Sequence, residues 1–336
     1  MKLTSAKLRW SCLILLITFT YLSLDIGYID INLLTALTSV FYGTKSTDAV
    51  ILWELRLPRT LMCLIVGSGL GLAGAALQGY LRNPLAEPSI VGVSSAAALG
   101  AVLCIALGLN NSGFFYTPAF ALAFAFVACW TLIFLTRQSK SKHNVILIGV
   151  GVSALAGSLT TLILSLSDNP FAINEIVFWM LGSVTDVSYS HVLISGPLVL
   201  IGTIFLYKHA ADLDLLTLGE ETATSTGVDI NKLRTSILIG TTFIVGGITA
   251  VTGIIGFVGL VTPHIVRPFV NHEPKRTMIW TPPIAALLVL ISDIIIRTAP
   301  TTGEIKLGVL TALLGTPVFL YLISKQRSEN GTCFNN

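Results

Sequence analysis

The chain has 336 residues, of which 53% are hydrophobic and only 11% are charged, and its formal net charge is +3. Soluble domains carry about 25% charged residues, so this composition excludes an ordinary water-soluble fold. The small net charge is spread between apolar runs, which also excludes a nucleic-acid-binding surface.

Apolar runs approaching 20 residues recur along the whole chain. A bilayer core offers backbone groups no external partner, so spanning segments are helices or closed barrels. Barrel strands need only roughly 9–11 residues, so these runs favour helices. We predict an all-α polytopic membrane protein with about ten transmembrane helices, forming one domain over residues 1–336. The predicted spans are Cys12–Leu24, Leu61–Tyr80, Ile90–Leu109, Pro118–Thr136, Val145–Leu166, Val192–Tyr207, Ile237–Val251, Ile254–Phe269, Ile284–Ile296 and Leu307–Ile323.

Basic residues are distributed unevenly between the two sides that these spans define. All but five of the 20 Lys and Arg residues fall on the side of the N-terminus. The five on the opposite side are Lys45, Arg56, Arg59, Arg297 and Lys306. Positive residues mark the cytoplasmic side, and an even number of spans places both ends together. Both termini are therefore predicted to be cytoplasmic.

Several spans carry small residues four positions apart, as in Gly67 with Gly71 and in Gly92 with Ala96 and Gly100. Small faces let membrane helices approach closely, so this spacing predicts helix packing. Glycine-rich stretches ending at a proline occur once in each half of the chain, which hints at the internal repeats of transporters.

The longest segment on the cytoplasmic side contains a coupling segment, residues 212–228. Thr217 and Glu220 have the spacing of a capping box, and Gly227 can end the helix that they begin. One reading is a short helix that lies along the membrane and carries force between subunits. The alternative is a solvated connector.

Residues for catalysis or cofactor binding do not form a recognisable pattern. The five histidines and five cysteines show no HExxH or CxxC spacing, and no GxxxxGK[ST] loop is present. We therefore predict that this chain is not an enzyme and binds no cofactor. If transport is powered by nucleotide, another subunit must supply the ATPase. Charges are nearly absent from the span cores, although Asp293 and Arg297 are spaced to pair along one helix.

Particular stretches of the sequence strongly resemble the FecCD-type permeases of bacterial ABC importers. They are Arg56–Thr60, Gln78, Arg82–Pro88, Gly92–Ser94, Trp179–Ser183, Leu218–Glu221, Gly256–Arg267, Gly303–Ile305, Gly308 and Leu314–Leu322. The resemblance extends from about the first span to Ile323 without a large insertion.

The resemblance implies a type II ABC importer permease fold in the bacterial inner membrane. It implies a homodimer, two cytoplasmic ATPase subunits that bind ATP and Mg, and a periplasmic substrate-binding protein. The transported ligand would be a metal chelate, a ferric siderophore or haem, with cobalamin as the alternative.

Three sets of residues take roles by their positions in the family motifs. Arg56, Arg59 and Arg297 correspond to arginines that dock the binding protein, work that suits a guanidinium group because it meets carboxylates in bidentate fashion. The coupling segment corresponds to the helices that contact the ATPase. Its matching residues are Leu215, Thr217, Leu218, Gly219, Glu220, Glu221 and Gly227. The cytoplasmic gate corresponds to Asn83, Leu85, Lys142 and His143. Relatives can carry small hydroxyl residues at the last two positions, where this chain departs from the pattern.

An ion-coupled secondary transporter is the alternative from another class. It would require a buried carboxylate relay, which the sequence does not reveal.

Overall fold

The computed structural model describes residues 5–41, 46–137, 143–299, 303 and 305–332. These residues form α-helices joined by short connections, and no β-strand occurs among them. The helices are α1 (Ser5–Asp25), α2 (Leu33–Phe41), α3 (Thr47–Val50), α4 (Leu57–Leu81), α5 (Val93–Ala106), α6 (Tyr116–Thr136), α7 (His143–Leu166), α8 (Pro170–Met180), α9 (Tyr189–Lys208), α10 (Ala210–Leu216), α11 (Glu220–Ser225), α12 (Ile230–Thr252), α13 (Val258–Val266), α14 (Pro274–Thr298) and α15 (Leu307–Thr332). A π-helical stretch, Ile51–Arg56, joins α3 to α4.

A helix lies at each of the ten predicted spans, which confirms the all-α polytopic architecture. Six helices in the described residues are long and apolar enough to cross a membrane. They are Thr47–Leu81, Tyr116–Thr136, Asn144–Leu166, Tyr189–Lys208, Ile230–Thr252 and Pro274–Thr298. Shorter apolar helices occupy Trp10–Asp25, Val93–Ala106 and Leu307–Tyr321.

The eighth predicted span, residues 254–269, differs from a regular spanning helix. Its helix α13 has nine residues, which at 1.5 Å per residue is about 13.5 Å, less than half of a ~30 Å hydrocarbon core. Residues 253–257 before it are not helical. Gly253 ends α12 with φ 71°, a left-handed conformation that suits glycine. A Cβ there would lie 2.0 Å from the Trp179 carbonyl oxygen, so the break is fixed by packing.

The position of α13 along α4 shows where this segment goes. A Cβ on Gly69 would meet Ile248 near the end of α12, whereas a Cβ on Gly74 would meet Gly259 at the start of α13. The His264 side chain reaches the Pro84 carbonyl oxygen, just beyond the end of α4. The chain therefore runs back along α4, partly extended and partly helical, to the end from which α12 started.

Helix α4 lies at the centre of the bundle and packs along α14, α12, α13 and α9. The predicted small face is used here, because a Cβ on Gly67 would lie 2.5 Å from the Ala286 backbone, and one on Gly71 would lie 2.5 Å from Ala285 Cβ. Gly100 of α5 similarly faces the backbone of α6 at Phe120. Small residues thus let these helices approach at backbone distance, as the spacing predicted.

Replacing Gly74 by alanine should therefore destabilise the bundle. The new Cβ would lie 1.9 Å from the Gly259 carbonyl oxygen, and overpacking of this kind costs about 1–3 kcal/mol. The matched control is Gly157→Ala in α7, where a Cβ meets nothing within 4 Å. We expect a lower thermal unfolding temperature and less monodisperse protein for Gly74→Ala alone. Equal stability of the two variants would show that α4 and α13 are not in close contact.

Candidate functional site

A cavity of about 440 Å³ lies at the N-terminal end of α4, and Arg56, Arg59 and Arg297 all line it. The fold therefore brings together the three arginines that the sequence predicted to act together. Helix α14 runs antiparallel to α4, which returns Arg297 to the end of α4 where Arg56 and Arg59 lie. We call it the arginine cavity.

Arg56 is 5% exposed and holds the stretch that follows α1. Its guanidinium donates to the carbonyl oxygen of Leu24 at 2.8 Å and also to the carbonyl oxygens of Asp25 and Ile29. A Cβ on Gly27 would lie 2.8 Å from the same guanidinium. Charged donors on backbone carbonyls form strong hydrogen bonds, so Arg56 fixes the path of the chain between α1 and α2.

Asp293 is completely buried and accepts hydrogen bonds from two arginines. Arg59 donates to Asp293 Oδ1 from Nε at 2.9 Å and from Nη2 at 2.8 Å. Arg297 donates to Asp293 Oδ2, which confirms the predicted pair. Arg297 also donates to Ser23 Oγ at 2.6 Å and to the Ser23 carbonyl oxygen at 2.8 Å. This cluster ties α1, α4 and α14 together, and the sequence alone indicated only one of its contacts.

The three arginines thus use their donors largely within the chain. Arg56 and Arg297 are 5% and 6% exposed, whereas the side chain of Arg59 is 13% exposed and is the most accessible of the three. Their docking role stays a prediction, and the geometry favours Arg59 as the residue that meets a partner.

The predicted gate lies at the other end of α4. Asn83 Oδ1 accepts a hydrogen bond from the Leu85 N–H at 2.9 Å, and Leu85 is 38% exposed. The Pro84 carbonyl oxygen lies 3.0 Å from His264 Nε2, and because a carbonyl only accepts, that nitrogen carries the hydrogen. His143 begins α7, but its side chain is not described, and Lys142 lies outside the described residues.

Glu87 is a functional candidate that the sequence analysis missed. Its Oε1 accepts a 2.6 Å hydrogen bond from the Phe257 N–H, at the start of α13, where a carboxylate is favoured by the helix dipole. Phe257 has φ 66°, a conformation that is uncommon for a residue other than glycine. The sequence signal that could have identified Glu87 is a single carboxylate between apolar residues and Pro88.

Gln78 makes a second connection between α4 and α13. Its Nε2 donates to the Gly259 and Leu260 carbonyl oxygens, both at 3.3 Å. Its Oε1 accepts from Arg267 at 2.6 Å. Together with Glu87, these bonds join the loop after α4 to α13 as one unit.

The coupling segment forms two short helices, α10 and α11, rather than the single helix that we predicted. The proposed capping box is wrong, because Thr217 Oγ1 donates back to the Asp214 carbonyl oxygen at 2.7 Å. Gly219, with φ 112°, precedes α11 instead, since glycine adopts that conformation without steric cost. Gly227 follows α11 with φ 95°, as predicted.

The coupling segment exposes both apolar and acidic side chains. Leu218 is 66% exposed, and Glu220 and Glu221 form the first turn of α11. Leu215 packs against the core, and Asp214 Oδ1 accepts a hydrogen bond from the Lys275 N–H at 2.8 Å, which ties this segment to the start of α14. After it, Asp229 caps α12, and the hydrogen bond from the Lys232 N–H lowers the pKa of the Asp229 carboxyl.

Comparison with known proteins finds likeness along nearly the whole chain. The FecCD transport family matches residues 14–325. The chain is 34% identical to the vitamin B12 import system permease protein BtuC of Vibrio cholerae, covering 96% of both chains. It is 32% identical to the hemin transport system permease protein HmuU of Yersinia pestis, covering 94% of this chain and 95% of that one. A solved structure described as an inward-facing conformation of a putative metal-chelate type ABC transporter superposes with a TM-score of 0.85 at 30% identity, covering 95% of this chain and 99% of that one.

Replacing Asp293 by alanine should strongly destabilise the protein. It leaves two buried or half-buried cations without their shared carboxylate, and breaking a buried pair costs about 3–5 kcal/mol. The matched control is Glu273→Ala, which removes the partner of Arg276 in an exposed pair at 2.7 Å and should cost at most ~1 kcal/mol. Thermal unfolding in detergent would measure both, and equal small effects would contradict a structural role for Asp293.

Proposed function

The chain belongs to the FecCD transport family, and on that premise we propose that it is the membrane-spanning permease subunit of an ABC importer for a metal chelate. The observation that carries the proposal is the family match across nearly all of the helical bundle. The family consists of transport proteins rather than enzymes. ATP and Mg would bind to a separate ATPase subunit, since no P-loop occurs in this sequence.

We propose a ferric siderophore or haem as the ligand, with cobalamin as the alternative. The relatives named for vitamin B12 and for hemin are 34% and 32% identical to this chain. These two sequence identities are too similar to favour haem over cobalamin. The preference rests on residues 178–188, which resemble siderophore and haem permeases more closely.

The proposed partners occupy opposite ends of the bundle. A periplasmic binding protein would meet the arginine cavity, with Arg59 as the principal contact. Two ATPase subunits would meet the coupling segments of two copies of this chain, where an exposed leucine such as Leu218 suits burial in a protein interface. We accordingly propose that the protein lies in the bacterial inner membrane with both termini in the cytoplasm.

The geometry disfavours the ion-coupled alternative. Asp293 is bonded by two arginines, and Glu87 accepts from the Phe257 backbone. A carboxylate that relays protons must change partners during transport, whereas these two hold the structure together.

Reconstitution in liposomes separates the two classes of transporter. We expect uptake of a ferric siderophore or haem only when this chain is combined with its ATPase, its binding protein and ATP. Liposomes that contain this chain alone, with an imposed proton or sodium gradient, serve as the comparison. Gradient-driven uptake by the chain alone would contradict the proposal.

Two substitutions test the proposed contacts with the binding protein and with the ATPase separately. Arg59→Gln leaves Asp293 paired with Arg297, and we expect it to weaken binding-protein affinity about tenfold, or ~1.4 kcal/mol, with less dependence on salt. Leu218→Asp should abolish co-purification with the ATPase, because it puts a charge into an apolar contact.

Each variant is the control for the other. Arg59→Gln should still co-purify with the ATPase, and Leu218→Asp should still bind the binding protein with normal affinity. Surface plasmon resonance on nanodisc-embedded protein measures the first interaction, and pull-down measures the second. Loss of both interactions in either variant would indicate a folding defect rather than a docking role.

A further inference from the structure

A second cavity, of about 350 Å³, lies where the end of α4, the end of α13, the start of α14 and the coupling segment meet. Arg82, Arg267 and His272 line it, and none of the described residues that line it is Asp or Glu. We call it the basic cavity. It lies at the opposite end of α4 from the arginine cavity, and its basic residues have no role in the transport proposed above, although Thr217 of the coupling segment also lines it.

The basic groups of this cavity are poorly neutralised. Arg267 makes one side-chain hydrogen bond, to the neutral Gln78 amide, and in the described part of the chain the Arg82 and His272 side chains have no hydrogen-bond or ion-pair partner. The adjoining carboxylates are engaged elsewhere, since Glu273 pairs with Arg276 and Asp214 accepts from the Lys275 N–H. This contrasts with the arginine cavity, where Asp293 is bonded to two of the arginines.

Two of these basic residues have unusual backbone conformations. Arg82 has φ 50° and His272 has φ 60°, left-handed conformations that are uncommon for residues other than glycine. Residues of this kind persist where the surrounding structure over-determines them. The backbone at both residues is therefore fixed where they line the basic cavity.

We propose that the basic cavity binds a phosphate group. Guanidinium groups supply forked donors that match phosphate oxygens, and two arginines with a histidine suit an anion that carries more than one acceptor oxygen. The phosphate could come from a lipid headgroup or from a soluble phosphate compound. Bound there, it would join the loop after α4 to the coupling segment at Thr217. The site rests on this chain alone and does not depend on the proposed transport.

The test uses the full chain in nanodiscs of phosphatidylcholine. In the first arm, inorganic phosphate is titrated against chloride at equal ionic strength, and thermal unfolding is followed, because a ligand of the folded state raises the unfolding temperature. In the second arm, phosphatidylglycerol is added to the bilayer and the lipid retained on the released protein is counted by native mass spectrometry.

The informative variant is Arg82→Ala combined with His272→Ala, and His272→Ala alone is used should the double variant not fold. The matched control is Lys232→Ala, which removes a positive charge from an exposed ion pair with Asp229 and does not line the cavity. We expect wild type and Lys232→Ala to respond, and the cavity variant to need at least tenfold more ligand.

The outcomes separate the sources of the phosphate. A response to inorganic phosphate alone supports a soluble compound, and selective retention of phosphatidylglycerol alone supports a lipid headgroup. The proposal is overturned when neither arm responds, or when Lys232→Ala loses as much as the cavity variant. It is also overturned when the cavity variant weakens only the association with the ATPase, since the cavity would then be a protein contact.

Discussion

The rest of the structure depends on how closely the backbone of α4 approaches the neighbouring helices. Lipid supplies no hydrophobic force between helices, so spanning helices associate through packing and polar contacts. On α4, glycines at 67, 71 and 74 meet α14 and α13 at backbone distance. Any side chain there would separate the helices and remove the polar contacts that their ends make. The central position of α4 therefore follows from its small residues.

The two ends of α4 take part in different polar clusters. At one end Arg59 shares the buried Asp293 with Arg297, so both guanidinium groups have a carboxylate partner inside the chain. At the other end Gln78 joins α13 through neutral hydrogen bonds, while Arg82 stays exposed. Neutralised charge stabilises a fixed arrangement, whereas unneutralised charge leaves a site for an external anion.

Much of the bundle could be predicted from the sequence, because span length follows from the thickness of the bilayer and small residues four positions apart indicate close helix packing. The break between α12 and α13 could not, since it depends on the Trp179 carbonyl oxygen next to Gly253 and on Glu87 next to Phe257. These contacts join residues far apart in the chain. The predicted capping box at Thr217 is absent for a local reason. The Thr217 hydroxyl donates instead to the backbone carbonyl oxygen of Asp214.

Contacts along α14 indicate how a movement of the coupling segment would reach the arginine cavity. Asp214 ties the coupling segment to the start of α14, and α14 carries Asp293 and Arg297 at its far end. A rigid helix transmits displacement along its length, and its close packing on α4 forces the two helices to move together. If the coupling segment receives the ATPase, as proposed, its motion would act on α14 and α4 as one body. The movement would reach the arginine cavity, because carbonyl groups in the last turn of α1 are bonded to Arg56 and Arg297.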